Sequence, residues 1–262
     1  YQPPEEKPVD YTHDTPVPID PRRVNSGHLR YGVRDGLEYI DRYDEEIAYT
    51  DQEMGRLLDA FDRLGFGAHA ITVFTADHGE TMMEFGQWFT HGYHVWEPII
   101  HVPLAIKATG LDAARIATPV SLIGVTPTIL ELAGIDLPEA LVEATLAGDI
   151  TPRPTYSEAT AAKGRQWRTL IRGDEKWLAH VRADGEVIQR WRYEVEREGE
   201  PPVPWSEKDP AGRLLLDRIA ADPDPAGVPK FLEKGIAIQS PKVAPGLDEE
   251  TLERLRALGY VE

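Results

Sequence analysis

Seven consecutive residues, Ala70-Ile-Thr-Val-Phe-Thr-Ala76, are apolar or β-branched, and the run stops abruptly at Asp77-His78-Gly79. It is too short for a helix, lacks a 3.6-residue period, and is bounded by turn residues, so it predicts a buried strand. Upstream, Ile40, Tyr43, Ile47, Met54, Leu57, Phe61 and Leu64 recur at spacings of three, four or seven, which puts them on one face of a long helix beginning near Leu37. Gly65 supplies the residue past its end. The acidic residues Asp41, Asp44, Glu45 and Glu46 read as its solvated face. Downstream, a second apolar run from Ile99 to Ile106 precedes Thr126-Pro127-Thr-Ile-Leu-Glu-Leu-Ala-Gly134, whose ends predict Thr126 as N-cap, Pro127 at the first helical position and Gly134 past the end. Helix, strand, strand and helix in this order predict an α/β fold with a mainly parallel sheet flanked by helices.

The texture changes after residue 150. Tyr156-Ser-Glu158, Trp167–Arg172, Lys176–Val181 and Glu186–Trp191 are short β-prone segments separated by Gly and Asp turn signals, which predicts a smaller antiparallel sheet. Residues 1 to about 35 carry Pro at 3, 4, 8, 16, 18 and 21 and read as an extended loop. Residues 201–204 and 223–229 are Pro-rich loops, and Glu249–Leu258 reads as a terminal helix. The expected organisation is therefore an α/β portion over 1–150 and a smaller C-terminal α+β subdomain over 151–262.

Composition narrows the function classes. The chain has 28 Lys and Arg against 45 Asp and Glu, a net charge of −17, which disfavours a phosphate backbone or an anionic bilayer as a partner. There is no Cys, which removes a disulfide framework, a thiolate zinc site and a Cys nucleophile from these residues. No run approaches the apolar length of a transmembrane helix, and the N-terminal residues do not form a signal peptide. The compartment stays open among periplasmic, extracellular and cytoplasmic.

Asp77 and His78 stand where the strand ends, and in open α/β sheets ligands bind beyond the carboxyl ends of strands. Successive side chains within a strand point to opposite faces, so the two can reach one ion only if the chain is already turning there, which Gly79 permits. A carboxylate oxygen beside a neutral imidazole nitrogen suits a divalent cation such as zinc or manganese, and can contribute to an oxygen-rich calcium site. The alternative reading is an Asp that caps a turn next to a surface His.

The surrounding motifs carry a resemblance. Ile71-Thr-Val-Phe-Thr-Ala-Asp-His-Gly-Glu80, Glu84-Phe-Gly86, His91-Gly-Tyr93, Glu97-Pro98 and Val102-Pro-Leu104, in this order and spacing, resemble the C-terminal half of the sulfatase family within the alkaline phosphatase superfamily. Tyr43–Asp51, Gly55–Leu58, Tyr1–Pro4, Ser121–Gly134, Tyr156-Ser-Glu158, Arg172–Lys176 and Leu255–Tyr260 extend it along the chain, with gaps. The resemblance implies an alkaline phosphatase-like fold. It also implies that Asp77 and His78 ligate a catalytic divalent metal and that His91 contacts the anionic group of a small ester substrate. Calcium is the metal the family implies. His78 stands where many sulfatases have Asn, and an imidazole there is similar to phosphodiester and phosphonate hydrolases of the superfamily, which use transition metals such as manganese or zinc. Glu80 and Glu84 read first as residues of an exposed loop and otherwise as groups that orient the ligands, Trp88, Phe89 and Tyr93 either wall a pocket or pack in the core or loop, and His94 and His101 read as structural or surface imidazoles. Asp174 and Lys176 resemble the family's turn between two C-terminal strands.

The family's nucleophile motif, Cys or Ser followed by x-Pro-x-Arg, is absent: none of Ser26, Ser121, Ser157, Ser206 and Ser240 has that context. Two ligands are also too few for a catalytic site. The expectation is a C-terminal part of a sulfatase, inactive without the N-terminal half that bears the nucleophile. The competing readings are a phosphodiester, phosphomonoester or phosphonate hydrolase on the same fold, and a non-catalytic α/β interaction domain. Around residues 190–250 the chain departs from the family pattern, so the layout of the small sheet is left open.

Overall fold

The computed structural model describes residues 17–22, 24, 33–92, 94–142, 144–148, 150, 152–160, 166–182, 184–195, 198 and 202–221. The expected N-terminal loop motif at Tyr1–Pro4, Tyr93, the 223–229 loop, the helix at Glu249–Leu258 and the Leu255–Tyr260 motif lie outside them. The described residues belong to a single unit by their contacts, Tyr1–Pro223. No helix among them is long and apolar enough to cross a membrane.

The long helix forms as its periodicity predicts. Helix α1 runs Gly36–Arg63, with Asp35 as N-cap accepting the Leu37 amide at 3.0 Å and Gly65 following at φ +80. Its environment differs from expectation. The first turns pack, with Tyr39 buried and stacked on Phe89 at 4.3 Å, but Ile47, Leu57, Phe61 and Leu64 are exposed. Glu45, expected on a solvated face, is buried.

Strand β1 (Thr72–Thr75) ends just before Asp77, as expected, and pairs with β2 (Leu104–Lys107). The pairing is antiparallel, with Thr72 opposite Lys107 and Thr75 opposite Leu104, which corrects the expected mainly parallel sheet for the described residues. Parallel neighbours are usually joined by a helix laid across the sheet; among the described residues of 76–103 the connection holds only a 3-10 turn at Glu84–Gly86 and the one-turn helix α2 (Glu97–Ile100). A two-stranded sheet also leaves β1 less covered than a buried strand, and Phe74 is exposed.

Helix α3 (Val125–Leu132) follows a 3-10 turn at Leu122–Gly124, so its N-cap is Gly124 and not Thr126. Pro127 is tolerated at the third helical position because the first-turn amides have no partner within the helix. Gly134 past the end, at φ +72, is as expected. A one-turn helix α4 covers Glu139–Val142.

The four short segments after residue 150 form one antiparallel sheet in the order β3 (Thr155–Thr160), β4 (Gln166–Arg172), β5 (Glu175–Val181) and β6 (Val187–Glu194). Register places Leu170 opposite Trp177 on one face, and Trp167 opposite His180 on the other. The first face packs on helix α5 (Pro210–Ala221) through Leu170, Trp177, Ala179, Trp205, Leu215 and Ile219. The other meets the loop that precedes α2: His94, Trp96, Trp167, His180 and Trp191 form a ladder of ring contacts, with Trp167 on His180 at 4.2 Å. This sheet therefore bears on the segment that carries the site.

Candidate functional site

The residues following β1 turn sharply, and the turn seats itself on α2. The Gly79 amide donates to the Ile99 carbonyl at 2.7 Å. A Cβ on Gly79 would lie 2.1 Å from the Pro98 carbonyl oxygen, so glycine is required here by space. The sequence-based reason, an easy turn, was the lesser part of it.

Asp77 and His78 project from this turn with side-chain exposures of 88% and 41%. His78 Nδ1 lies 2.9 Å from the Gly79 carbonyl. A carbonyl only accepts, so Nδ1 carries the proton, and in the neutral ring Nε2 keeps its lone pair. Nε2 is 3.6 Å from Asp77 Oδ2, too long for a hydrogen bond and close to the separation of two donors that share one cation at bond lengths of about 2.0–2.2 Å. The Asp77 Oδ1 atom accepts the His78 amide at 2.9 Å, which steadies the carboxylate. The donor pair thus fits a divalent cation as part of a site. Among the described residues no group of three or more His, Asp or Glu side chains is arranged to hold a metal ion, so the pair is not a whole site.

His91 comes to this turn from the far end of a loop. The loop is closed by Thr81, whose amide and hydroxyl both donate to the Thr90 carbonyl, at 3.1 and 2.7 Å. Two non-glycine residues within it adopt left-handed backbone, Phe85 at φ 55 and Phe89 at φ 51, a strained state that tertiary packing must hold. For Phe89 the packing is its buried ring against Tyr39. His91 stacks on His78 with ring centroids 4.0 Å apart, and its Nδ1 lies 3.2 Å from Oε2 of the largely buried Glu80. The carboxylate accepts, so Nδ1–H is fixed there and Nε2 is left for another partner.

All three sequence-predicted site residues therefore meet at one turn. Glu80 is largely buried and holds His91, the second of its two readings and not the exposed-loop one. Glu84 instead caps the loop, accepting the Met82 and Met83 amides at 2.6 and 3.0 Å. Of the two readings for Trp88 and Phe89 the structure shows core packing, with both buried beside Val24 and Tyr39. His94 belongs to the aromatic ladder, where burial first and then the charge of His180 hold its pKa below the ordinary histidine value.

Sequence reasoning missed Lys176. Placed in a turn motif by its neighbours, it is fully buried and reaches the Val95 carbonyl at 2.5 Å, Glu97 Oε1 at 3.0 Å and Glu198 Oε1 at 2.6 Å. The only signal was a lysine directly before the apolar Trp177-Leu178-Ala179 of β5, since a lysine buried in such a strand demands a partner.

Comparison with known proteins bears on these residues. The sequence model of the Sulfatase family matches residues 1–135, which include Asp77, His78 and His91. Arylsulfatase K of Bos taurus is 38% identical over 95 residues, covering 36% of this chain and 17% of that protein. Choline-sulfatase of Rhizobium meliloti (strain 1021) is 36% identical over 97 residues, covering 37% of this chain and 19% of that protein. The matched stretches thus span less than a fifth of these curated relatives. Among solved structures, phosphonate monoester hydrolase SpPMH from Silicibacter pomeroyi is similar in fold, with a TM-score of 0.52 at 20% identity over 75% of this chain and 40% of that one.

Proposed function

The chain belongs to the sulfatase family, and we propose that it is the C-terminal part of a metal-dependent hydrolase of sulfate esters. The observation that carries this reading is the convergence of Asp77, His78 and His91 at one turn, with His78 3.6 Å from Asp77 and 4.0 Å from the His91 ring.

In this reading Asp77 offers an anionic oxygen and His78 its Nε2 lone pair to a divalent cation, calcium by family, manganese or zinc by the chemistry of an imidazole donor. When bound, the ion supplies positive charge against the oxygens of the sulfuryl group. His78 must be neutral for this. With Nδ1–H held by Glu80, His91 offers its Nε2 to the anionic group or to the departing ester oxygen, as a donor when that nitrogen is protonated. The nucleophile and the remaining ligands are assigned to a portion of the enzyme outside these residues.

The 262-residue chain alone is accordingly expected to leave 4-nitrophenyl sulfate intact, and turnover by it would overturn the partial-site reading. In an enzyme that also contains the nucleophile segment, Asp77→Ala is expected to lose its metal by elemental analysis and its turnover together. The circular dichroism spectrum should be retained, because the fold rests on apolar burial. A variant that keeps stoichiometric metal and near-normal turnover makes Asp77 a turn cap and removes the reading.

One observation favours a second reading. His78, in a position where an oxygen ligand is common, suits a phosphonate or phosphodiester hydrolase on the same fold. The ratio of kcat/KM for 4-nitrophenyl sulfate to that for a 4-nitrophenyl phosphonate monoester separates the two.

A further inference from the structure

Lys176 lies on β5, far in sequence from the candidate site, yet its ammonium is the meeting point of three segments. It contacts the Val95 carbonyl in the loop that leads from His91, Glu97 at the first position of α2, and Glu198 in the chain beyond β6. Glu198 is itself buried, and its second oxygen accepts the Glu97 amide at 2.7 Å. The start of α2 is therefore held twice, once by its side chain on Lys176 and once by its amide on Glu198. Helix α2 in turn is the seat of the turn bearing Asp77 and His78, through the Gly79 to Ile99 hydrogen bond and the contact that admits no Cβ at Gly79.

A buried ion group is a poor way to gain stability, since desolvation offsets most of the attraction and an apolar replacement of the same shape often serves as well. It differs from an apolar contact in being directional: the ammonium donates to the Val95 carbonyl and to Glu97 and is ion-paired with Glu198 at 2.6 Å, which restricts the placement of the groups it joins. Here those groups are a rigid central strand and the one-turn helix under the candidate ligands.

We propose that Lys176, with Glu97 and Glu198, is a positioning residue of the candidate site: the C-terminal sheet sets the placement of the Asp77-His78-Gly79 turn by gripping α2 from below. The proposal rests on the reading of that turn as the ligand-bearing one. It also gives the C-terminal sheet a part in the site geometry, although it contributes none of the three residues.

Amide hydrogen exchange on the full chain tests it. In Lys176→Met the Gly79 amide is expected to exchange about tenfold faster, while the amides of Leu170 and Val181 in the same sheet keep their protection. Lys176→Arg, which retains a buried cation with several donors, is expected to restore most of the Gly79 protection. Unchanged exchange at Gly79, or equal acceleration at Gly79, Leu170 and Val181, overturns the proposal, because the first removes the coupling and the second makes Lys176 only a stabiliser of the sheet. If Lys176→Met does not fold, Glu97→Gln carries the test, with the same local acceleration expected and the same two overturning results. Whether the turn binds a cation is read separately, by titrating the wild-type chain with Mn²⁺, so that a failure of the functional reading does not pass for a failure of this one.

Discussion

At the residue scale, the candidate site is a matter of which atoms are already committed. His78 spends Nδ1–H on the Gly79 carbonyl and His91 spends Nδ1–H on Glu80, so each ring has a single nitrogen left for chemistry. Gly79 makes the arrangement possible by leaving room for the Pro98 carbonyl. Gly79→Ala is therefore expected to push the turn off α2, and a displacement near 1 Å of groups that must converge costs about 10²-fold in rate. The check is kcat/KM in the complete enzyme beside the circular dichroism spectrum. A Gly79→Ala enzyme with wild-type kcat/KM would mean that the turn tolerates displacement.

At the element scale, α5 shows tertiary packing overruling propensity. Asp209 caps it, its Oδ1 accepting the Ala211 and Gly212 amides at 3.0 Å each. Burial pushes the Asp209 carboxyl up, but these amides, Trp177 and Arg192 outweigh it and hold the pKa below the ordinary aspartate value. Within the helix, Gly212 is buried against Trp205, and a Cβ there would lie 2.4 Å from Cε3 and 2.6 Å from Cζ3 of the indole. Alanine gains about 1 kcal/mol in helix propensity, whereas forcing a methyl into a packed aromatic contact costs about 1–3 kcal/mol. Gly212→Ala is expected to lower stability by up to roughly 2 kcal/mol, read from denaturant melts. A variant more stable than wild type would show that Trp205 can move aside.

At the scale of the whole described molecule, the α/β residues and the four-stranded sheet meet through the ring ladder around Trp96 and Trp167, and His94 is one of its two histidines, with His180. Its folded pKa is depressed, chiefly by burial and then by His180, so the folded state resists a proton that the unfolded chain accepts. The sign follows. His94's contribution to stability is complete above about pH 6.5, the ordinary histidine value, and falls as the pH drops from there to the folded value. The melting temperature of the wild type should therefore drop more between pH 8 and pH 5 than that of His94→Gln. Equal drops would place His94 outside the pH response.

The sequence by itself determined whatever depends on residues a few positions apart. The extent of α1 follows from its period and Gly65, the four strands after residue 150 from their short β-prone runs and the Gly and Asp turns between them, and the end of β1 from Asp77-His78-Gly79. The same local logic made Asp77, His78 and His91 candidates. Helix α5 is legible too, in Asp209-Pro210 and the four-residue spacing of Leu215 and Ile219, but it lies in the stretch 190–250 whose layout the sequence leaves open. Only the tertiary structure decided the antiparallel pairing of β1 with β2, the exposure of Phe74 and of the apolar stripe on α1, the stacking of His78 on His91, and the burial of Lys176. These depend on contacts such as Lys176 to Val95, 81 residues apart, and Glu198 to Glu97, 101 residues apart. A helical period or a cap acts through bonds within one turn, so it is written in adjacent letters. A partner brought by loop closure is chosen by all the packing between, and no local pattern records it.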